Sequence, residues 1–268
     1  MAIKYKKECG MENRIIKYPR TPHIEGSRLQ SGDEDISQIP FSAIAGLHAV
    51  VEEKVDGANV GISFSGGEMY LQSRGHFLRG GAKEKEYELF KLWAATHREE
   101  LYALLGERYI MYGEWLYAKH KVYYNALPHY FLEFDIFDRE CGVYLDTGAR
   151  KMILDGSSVR SVPVLFEGVL HSREPLISLI KRSNYIKGEH LAELGEKAEQ
   201  MGLDRVRILA ETDPSDLMEG LYIKIEDGGE VKARMKYVRH GYTQAASVEN
   251  WHSHTIIENE LESGDIFA

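Results

Sequence analysis

The stretch Glu52-Glu53-Lys54-Val55-Asp56-Gly57-Ala58-Asn59-Val60 sets a lysine two places before an Asp-Gly pair. A lysine amine is a nucleophile only after losing its proton, which takes a nearby cation or a desolvated site. Alone, Lys-x-Asp-Gly occurs by chance in roughly 5% of chains this long, and Asp-Gly also suits a plain surface turn. Chemistry at Lys54 needs partners, and candidates follow in order. Ser73-Arg74-Gly75 supplies a guanidinium, and Tyr112-Gly113-Glu114-Trp115 a carboxylate. Phe131-Leu132-Glu133-Phe134-Asp135-Ile136-Phe137 is aromatic and alternating. Glu219-Gly220-Leu221-Tyr222-Ile223-Lys224 pairs a carboxylate with a cation, and Lys232, Arg234 and Lys236 place cations at every second residue.

The ordered set KVDGAN, SRG, YGEW, FLEFDIFD, EGLYIK and ARMK resembles the covalent nucleotidyltransferase superfamily of ATP-dependent RNA ligases, DNA ligases and capping guanylyltransferases. It is most similar to the RNA ligase 2-like branch, in which an asparagine lies five residues after the lysine, as Asn59 does here. Lys17-Tyr18-Pro19-Arg20-Thr21-Pro22-His23 and Asn250-Trp251-His252 resemble segments of bacterial RNA ligase-like proteins. The resemblance runs over roughly the whole chain; each motif is short, and their order makes them specific.

The resemblance implies an ATP-dependent RNA ligase. The Lys54 amine would attack the α-phosphate of ATP, release pyrophosphate and carry AMP through a P–N bond. AMP would pass to an RNA 5'-phosphate, and a 3'-hydroxyl would then displace it and seal the strand. Asp56, Asn59, Arg74 and Lys236 are the implied catalytic companions of Lys54. Arg74 would contact the ribose or the strand phosphate, since a planar fork of donors suits an oxyanion. Glu114 would accept from the ribose hydroxyls, and Phe134 would stack on adenine. Glu219 would hold Mg²⁺ or Mn²⁺ through oxygen. Lys236 with Arg234 would bind the α-phosphate, with Lys224 a further phosphate contact and Glu53 a reader of the adenine amino group. Arg234 departs from the family's commoner Lys-x-Lys, which leaves open which basic pair acts.

Plainer readings stand beside these. Arg74 suits a solvated hairpin. Strict alternation sets Phe134 with Leu132 and Ile136, opposite Phe131, Glu133, Asp135 and Phe137, which fits core packing. The same alternation puts Lys232 on the face of Arg234 and Lys236. Trp251-His252-Ser253-His254 has two histidines without a near third ligand, as surface residues do. Gly75 to Gly81 lacks the spacing of a phosphate-binding P-loop.

These residues need a scaffold, and the sequence predicts one. Strands at Asn59–Phe64 and Glu68–Ser73 flank Ser65-Gly66-Gly67, and strands at Leu221–Glu226 and Glu230–Tyr237 flank Asp227-Gly228-Gly229. Tyr109–Gly113, Tyr130–Phe137 and Val162–Phe166 also read as strands. Lys83–Leu105 has a helical apolar face with a break near Thr96. Pro175–Arg182 and Glu189–Met201 read as helices, the latter weakened by Gly195, and Asp213-Pro214-Ser215-Asp216 as a turn or helix start. Helices between antiparallel hairpins predict an α+β fold, in the resemblance an ATP-grasp-like nucleotidyltransferase domain of antiparallel sheets flanked by helices. Residues 1–245 would form it, with 246–268 a short acidic segment packed on it or trailing. About 30 residues follow Lys236, fewer than half of what an OB fold needs, so no OB domain is expected.

The chain has 268 residues and a formal charge of −9, against a generally basic nucleic-acid binder but not against a local basic channel. Cys9 and Cys141 are too few for a disulfide framework and fit a reduced, cytoplasmic chain. The basic N-terminus lacks a following apolar run, and no stretch is long enough to span a membrane. The expected partner is RNA with 5'-phosphate and 3'-hydroxyl ends. A minimal C-terminal segment makes an end-healing kinase-phosphatase a candidate second partner. Two alternatives remain: a DNA ligase-like polynucleotide adenylyltransferase, and a non-catalytic nucleotide- or RNA-end-binding module.

Overall fold

Two Gly-Gly turns organise the sheets. Gly66 and Gly67 (φ 60° and 76°), like Gly228 and Gly229 (φ 62° and 86°), adopt the left-handed backbone that a two-residue hairpin turn requires. The computed structural model describes residues 14–29, 38–242 and 255–267. Its strands are β1 (His48–Lys54), β2 (Ala58–Ser65), β3 (Glu68–Ser73), β4 (Tyr109–Trp115), β5 (Phe131–Asp138), β6 (Val143–Tyr144), β7 (Arg160–Ser161), β8 (Val164–Val169), β9 (Gly220–Asp227) and β10 (Glu230–Val238). A smaller sheet has the order β10-β9-β1-β8; a larger one runs β3-β2-β4-β5-β6, with β7 added parallel to β5. The other pairings are antiparallel. With helices around them, this is the α+β architecture the sequence predicts.

The helices are α1 (Glu88–Thr96), α2 (Arg98–Leu105), α3 (Thr147–Leu154), α4 (Arg173–Ile177), α5 (His190–Gln200) and α6 (Arg205–Ala210). A 3₁₀ turn over Ala82–Tyr87 leads into α1, and the chain breaks at His97, one residue from the expected place. Phe90, Trp93 and Leu101 bury this face against Trp115, Phe131 and Leu132 of the larger sheet. A second core lies on the smaller sheet, where Val51, Leu221, Ile223 and Met235 meet Phe41 and Leu176.

Several boundaries differ from expectation. The strand predicted from Val162 is β8, starting after Pro163, which has no N–H for a ladder. The helix predicted over Pro175–Arg182 is α4, two residues earlier and shorter; Pro175 sits in its first turn, where no N–H is needed. Asp213–Asp216 is a turn, with Asp213 Oδ1 accepting from Ser215 N and Oγ. Two helices went unforeseen. Asp146 caps α3 by accepting from Ala149 N at 2.7 Å, and Asp204 caps α6 from Arg207 N at 3.1 Å. Asn250 and Trp251-His252-Ser253-His254 lie outside the described residues.

Two register irregularities, one in each sheet, re-aim side chains. The register of β4 on β5 shifts between Tyr112 and Gly113, leaving Phe134 without a ladder partner. The register of β10 on β9 shifts likewise and leaves out Lys232. Such an extra residue breaks alternation.

Candidate active site

Lys54 ends β1, and the chain then turns sharply through Asp56 and Gly57 into β2. Gly57 is required by crowding: a Cβ there would stand 2.6 Å from the Trp115 carbonyl oxygen and 2.7 Å from Leu116 Cδ2. The turn delivers Lys54 to a cavity of about 270 Å³ between the sheets. The smaller sheet contributes Glu52, Glu53, Lys54, Tyr222 and Lys236 to its walls, and the larger sheet contributes Asn59, Glu114 and Phe134. Arg74 reaches it from the loop after β3, and Tyr18, Arg20 and Thr21 close it from the N-terminal segment. That segment is fastened to β10, with Lys236 N donating to Pro22 O at 2.9 Å and Ile24 N to Lys236 O at 3.0 Å.

The amine of Lys54 donates to Glu219 Oε2 at 2.6 Å. Burial alone would depress its pKa, but Glu219, Glu114 and Asp56 outweigh burial and hold it above the ordinary value. Glu114 shows the converse. Burial pushes its carboxyl up to about 7 although Lys54 and Arg74 pull it down. Its Oε1 accepts from Gly57 N at 3.2 Å. Asp56 is buried too, yet His120, Lys54 and backbone N–H groups hold it below the usual range. Its Oδ2 accepts from Lys121 N at 2.7 Å and Val122 N at 3.1 Å. Asn59 stands opposite Glu114 in the ladder, and its Oδ1 is buried with no hydrogen-bond partner among the described residues. An orphaned acceptor facing a cavity fits a ligand that donates.

Phe134, the residue left out of the ladder, presents its ring to the cavity, with Tyr18 edge-on at 5.1 Å and Tyr222 at 6.2 Å. The alternation that grouped it with Leu132 and Ile136 does not hold, because those two are fully buried in the core. The Phe134 carbonyl accepts from both Arg150 Nη1 and Lys224 Nζ.

Three expected positions differ. Lys224 does not reach the cavity: it is fully buried, 2.8 Å from Glu52 Oε2 and 3.3 Å from Asp135 Oδ1. Arg234 donates to Asp135 Oδ2 at 3.0 Å, with its guanidinium carbon 3.7 Å from the Tyr144 ring centre. Lys232 is exposed and pairs with Glu230, so it does not share the face of Lys236. Of these cations, Lys236 alone lines the cavity. Glu53 lines it as well, but its carboxylate already accepts from Ser183 Oγ at 2.5 Å, Asn184 Nδ2 at 2.6 Å and Asn184 N at 3.1 Å. That triple engagement counts against Glu53 as reader of a base amino group.

Sequence reading missed Tyr18, Tyr222 and Val162 in the walls, Ser183 and Asn184 behind Glu53, and Arg150 behind Phe134. Tyr18 lies in a segment singled out by resemblance, and Asp146, a local capping signal that was overlooked, marks the start of α3, which carries Arg150. Ser183 and Asn184 are 130 residues from Glu53 and carry no local signal.

No group of three or more His, Cys, Asp or Glu side chains among the described residues could hold a metal by itself. Glu219 with Glu114 or Asp56 is still an oxygen donor set of the kind that serves a hard cation sharing its shell with water and phosphate. No helix among the described residues is long and apolar enough to cross a membrane.

The sequence pattern of the RNA ligase family matches residues 47–238. That range contains Lys54, Asn59, Arg74, Glu114, Phe134, Glu219 and Lys236. Similar solved structures include a mutant of the Naegleria gruberi RNA ligase with ATP and Mn, at 18% identity over 83% of this chain and 60% of that one, TM-score 0.49. A second mutant with ATP and Mn has 17% identity over 75% and 52%, TM-score 0.48. The same ligase with PPi has 17% identity over 85% and 62%, TM-score 0.46. The chain thus spans between about half and three-fifths of the length of these ligases. No curated protein matches it.

Proposed function

The chain belongs to the RNA ligase family, and from that premise we propose that it joins RNA strands using ATP, through AMP carried on Lys54, in RNA repair. One observation carries the reading. Lys54, on the wall of an inter-sheet cavity, is hydrogen-bonded to the buried Glu219 and ringed by two further carboxylates.

The chemistry runs in three displacements. The Lys54 nitrogen, having given up its proton, forms a bond to the α-phosphorus of ATP, and the bond from that phosphorus to the bridging oxygen breaks, releasing pyrophosphate. An oxygen of the RNA 5'-phosphate then attacks the same phosphorus, the P–N bond breaks and Lys54 takes a proton back. Finally the 3'-hydroxyl oxygen attacks the 5'-phosphorus, loses its proton, and AMP departs.

The protein's own residues have distinct tasks in this reading. Glu114 accepts from the ribose hydroxyls, and Phe134 stacks on the base, its ring aimed by the extra residue in β5. Asn59 offers its orphaned Oδ1 to a donor on the nucleotide. Lys236 from β10 and Arg74 from the loop after β3 bind phosphate oxygens. Asp56 shapes the turn under Lys54 through Lys121 N and Val122 N. Glu219, with Glu114 or Asp56, would hold Mg²⁺ or Mn²⁺. Such a cation would offset the carboxylate charge that keeps Lys54 protonated and neutralise charge on the phosphates.

Intact mass before and after incubation with ATP and Mg²⁺ or Mn²⁺ tests the proposal. The wild-type chain gains one AMP, and Lys54→Ala gains none. No gain under either metal would overturn it.

A further inference from the structure

Asp56 is held by main-chain groups of the 116–127 loop, and something must hold that loop. Lys121 N and Val122 N donate to Asp56 Oδ2, and the Tyr124 hydroxyl accepts from Asp56 N at 2.9 Å. Leu116, where the loop begins, packs beneath the turn so closely that a Cβ on Gly57 would clash with it. The loop is therefore the mould of the Lys54–Gly57 turn. It has no strand or helix of its own.

The segment 255–267, 200 residues from Lys54, runs across this loop. Its main chain makes a series of bonds: Lys119 N to Ile257 O at 2.7 Å, Asn259 N to Tyr117 O at 2.9 Å, Glu260 N to Tyr124 O at 2.9 Å and Leu127 N to Glu260 O at 3.0 Å. At the centre stands Asn259, fully buried. Its Nδ2 donates to Leu116 O at 2.7 Å, its Oδ1 accepts from Tyr124 N at 2.9 Å, and its own carbonyl accepts from the Tyr130 hydroxyl at 2.8 Å. One side chain thus ties the start of the loop to the residue whose hydroxyl meets Asp56. A buried amide with every group satisfied specifies one geometry, because any displacement leaves polar atoms unpaired.

We infer that Asn259 is a positioning residue for the nucleophile: it clamps Leu116 to Tyr124 and so fixes the mould that aims Lys54. The segment 255–267 is in this respect part of the active-site scaffold. The inference rests on Lys54 being the nucleophile. A displacement of about 1 Å at a reacting group costs on the order of 100-fold in rate, so a loosened mould acts on the rate of AMP attachment rather than on ATP binding, which uses the cavity walls.

The test measures single-turnover AMP attachment by intact mass, the KM for ATP, the melting temperature and backbone amide exchange. The variants are Asn259→Leu, which removes both side-chain bonds at similar volume, and Asn259→Asp, which keeps the acceptor for Tyr124 N and loses the donor to Leu116 O. Tyr124→Phe and the Asn259→Leu/Tyr124→Phe double variant complete the set. Rates are taken per folded molecule, well below each melting temperature. Asn259→Leu should slow attachment roughly 10- to 100-fold with KM for ATP within about threefold. Asn259→Asp should lose less, and the double variant no more than the worse single variant. Amide exchange should quicken at residues 54–57 and 116–124 and not in β2 or β4. An unchanged attachment rate in Asn259→Asp and Tyr124→Phe, or additive losses in the double variant, overturns the inference even if Asn259→Leu fails to fold. If the wild-type chain itself takes no AMP, the ligase reading has failed. The clamp then stands or falls on amide exchange in Asn259→Asp, and unchanged exchange at 54–57 overturns it.

Discussion

Two charged clusters lie side by side along β1, where Glu52 and Lys54, two residues apart, share one face of the strand. In one, Glu52 joins Glu133 and Asp135 with Arg150, Lys224 and Arg234: three carboxylates, three cations. Arg150 Nη2 is 3.1 Å from Glu52 and its Nε 3.2 Å from Glu133, with all three side chains at most 2% exposed. In the other, Lys54 meets Glu219, with Glu114 and Asp56 near. Here the side chain of Lys54 is 22% exposed and opens on a cavity. The first cluster is balanced and almost wholly buried; in the second, three carboxylates surround the one amine of Lys54, which opens on the cavity. Charges buried in mutual ion pairs hold structure. A carboxyl at about 7 beside a half-buried amine, with an orphaned acceptor nearby, fits a cationic or donating ligand. Residue type does not separate the two clusters, since Lys224 and Lys54 are both lysines beside carboxylates on the smaller sheet.

The contrast can be broken from either side. The largest effect expected is at Lys54, where replacement by alanine removes all AMP attachment. Next is Arg150→Met, which strands Glu52 and Glu133 in the interior. It should cost about 3–5 kcal/mol in a denaturant titration, with part of the loss recovered by adding Glu133→Gln. If Arg150→Met melts like the wild-type chain, the balanced cluster is not structural.

Glu114 gives a smaller effect with a defined sign. Its folded pKa of about 7 lies above the unfolded value. The native state therefore binds more protons between those values, and stability falls as pH rises through that window. The stability lost remains lost above about 7. Glu114→Gln should flatten this part of the profile, so its melting temperature should drop less than that of the wild-type chain between pH 5 and 8. An unchanged slope would show that Glu114 titrates normally. The smallest effect belongs to Lys232→Ala, which removes an exposed pair with Glu230. It should change stability by under about 0.5 kcal/mol and leave AMP attachment unaltered, whereas Lys236→Ala should slow attachment severely. Equal losses in both would contradict the separation of Lys232 from the Lys236 face.

Much of the scaffold was legible because its signals are local. Both hairpins carry Gly-Gly at the turn, where only glycine takes the required backbone without strain. The helix break fell at His97 beside the expected Thr96. Asp146 and Asp204, which cap α3 and α6, were equally local and were overlooked. The extra residues at Phe134 and Lys232 had no such mark: nothing in FLEFDIF or VKARMK distinguishes a regular strand from one with a register shift. Each shift moves neighbouring side chains to the other face, which is why strict alternation misplaced Phe134 and Lys232.

The sequence by itself determined the order of the motifs, both Gly-Gly hairpins, the broken helix before β4 and the family, because these depend on residue type and short spacing. Tertiary structure alone decided which cations face the cavity, why Glu53 is occupied by Ser183 and Asn184, and that Asn259 reaches the loop that holds the turn after Lys54. Those outcomes depend on burial and on hydrogen bonds between residues 90 to 165 positions apart. Whether a lysine is a strut or a nucleophile is set by what surrounds its amine, and its surroundings are assembled only when the sheets close on one another.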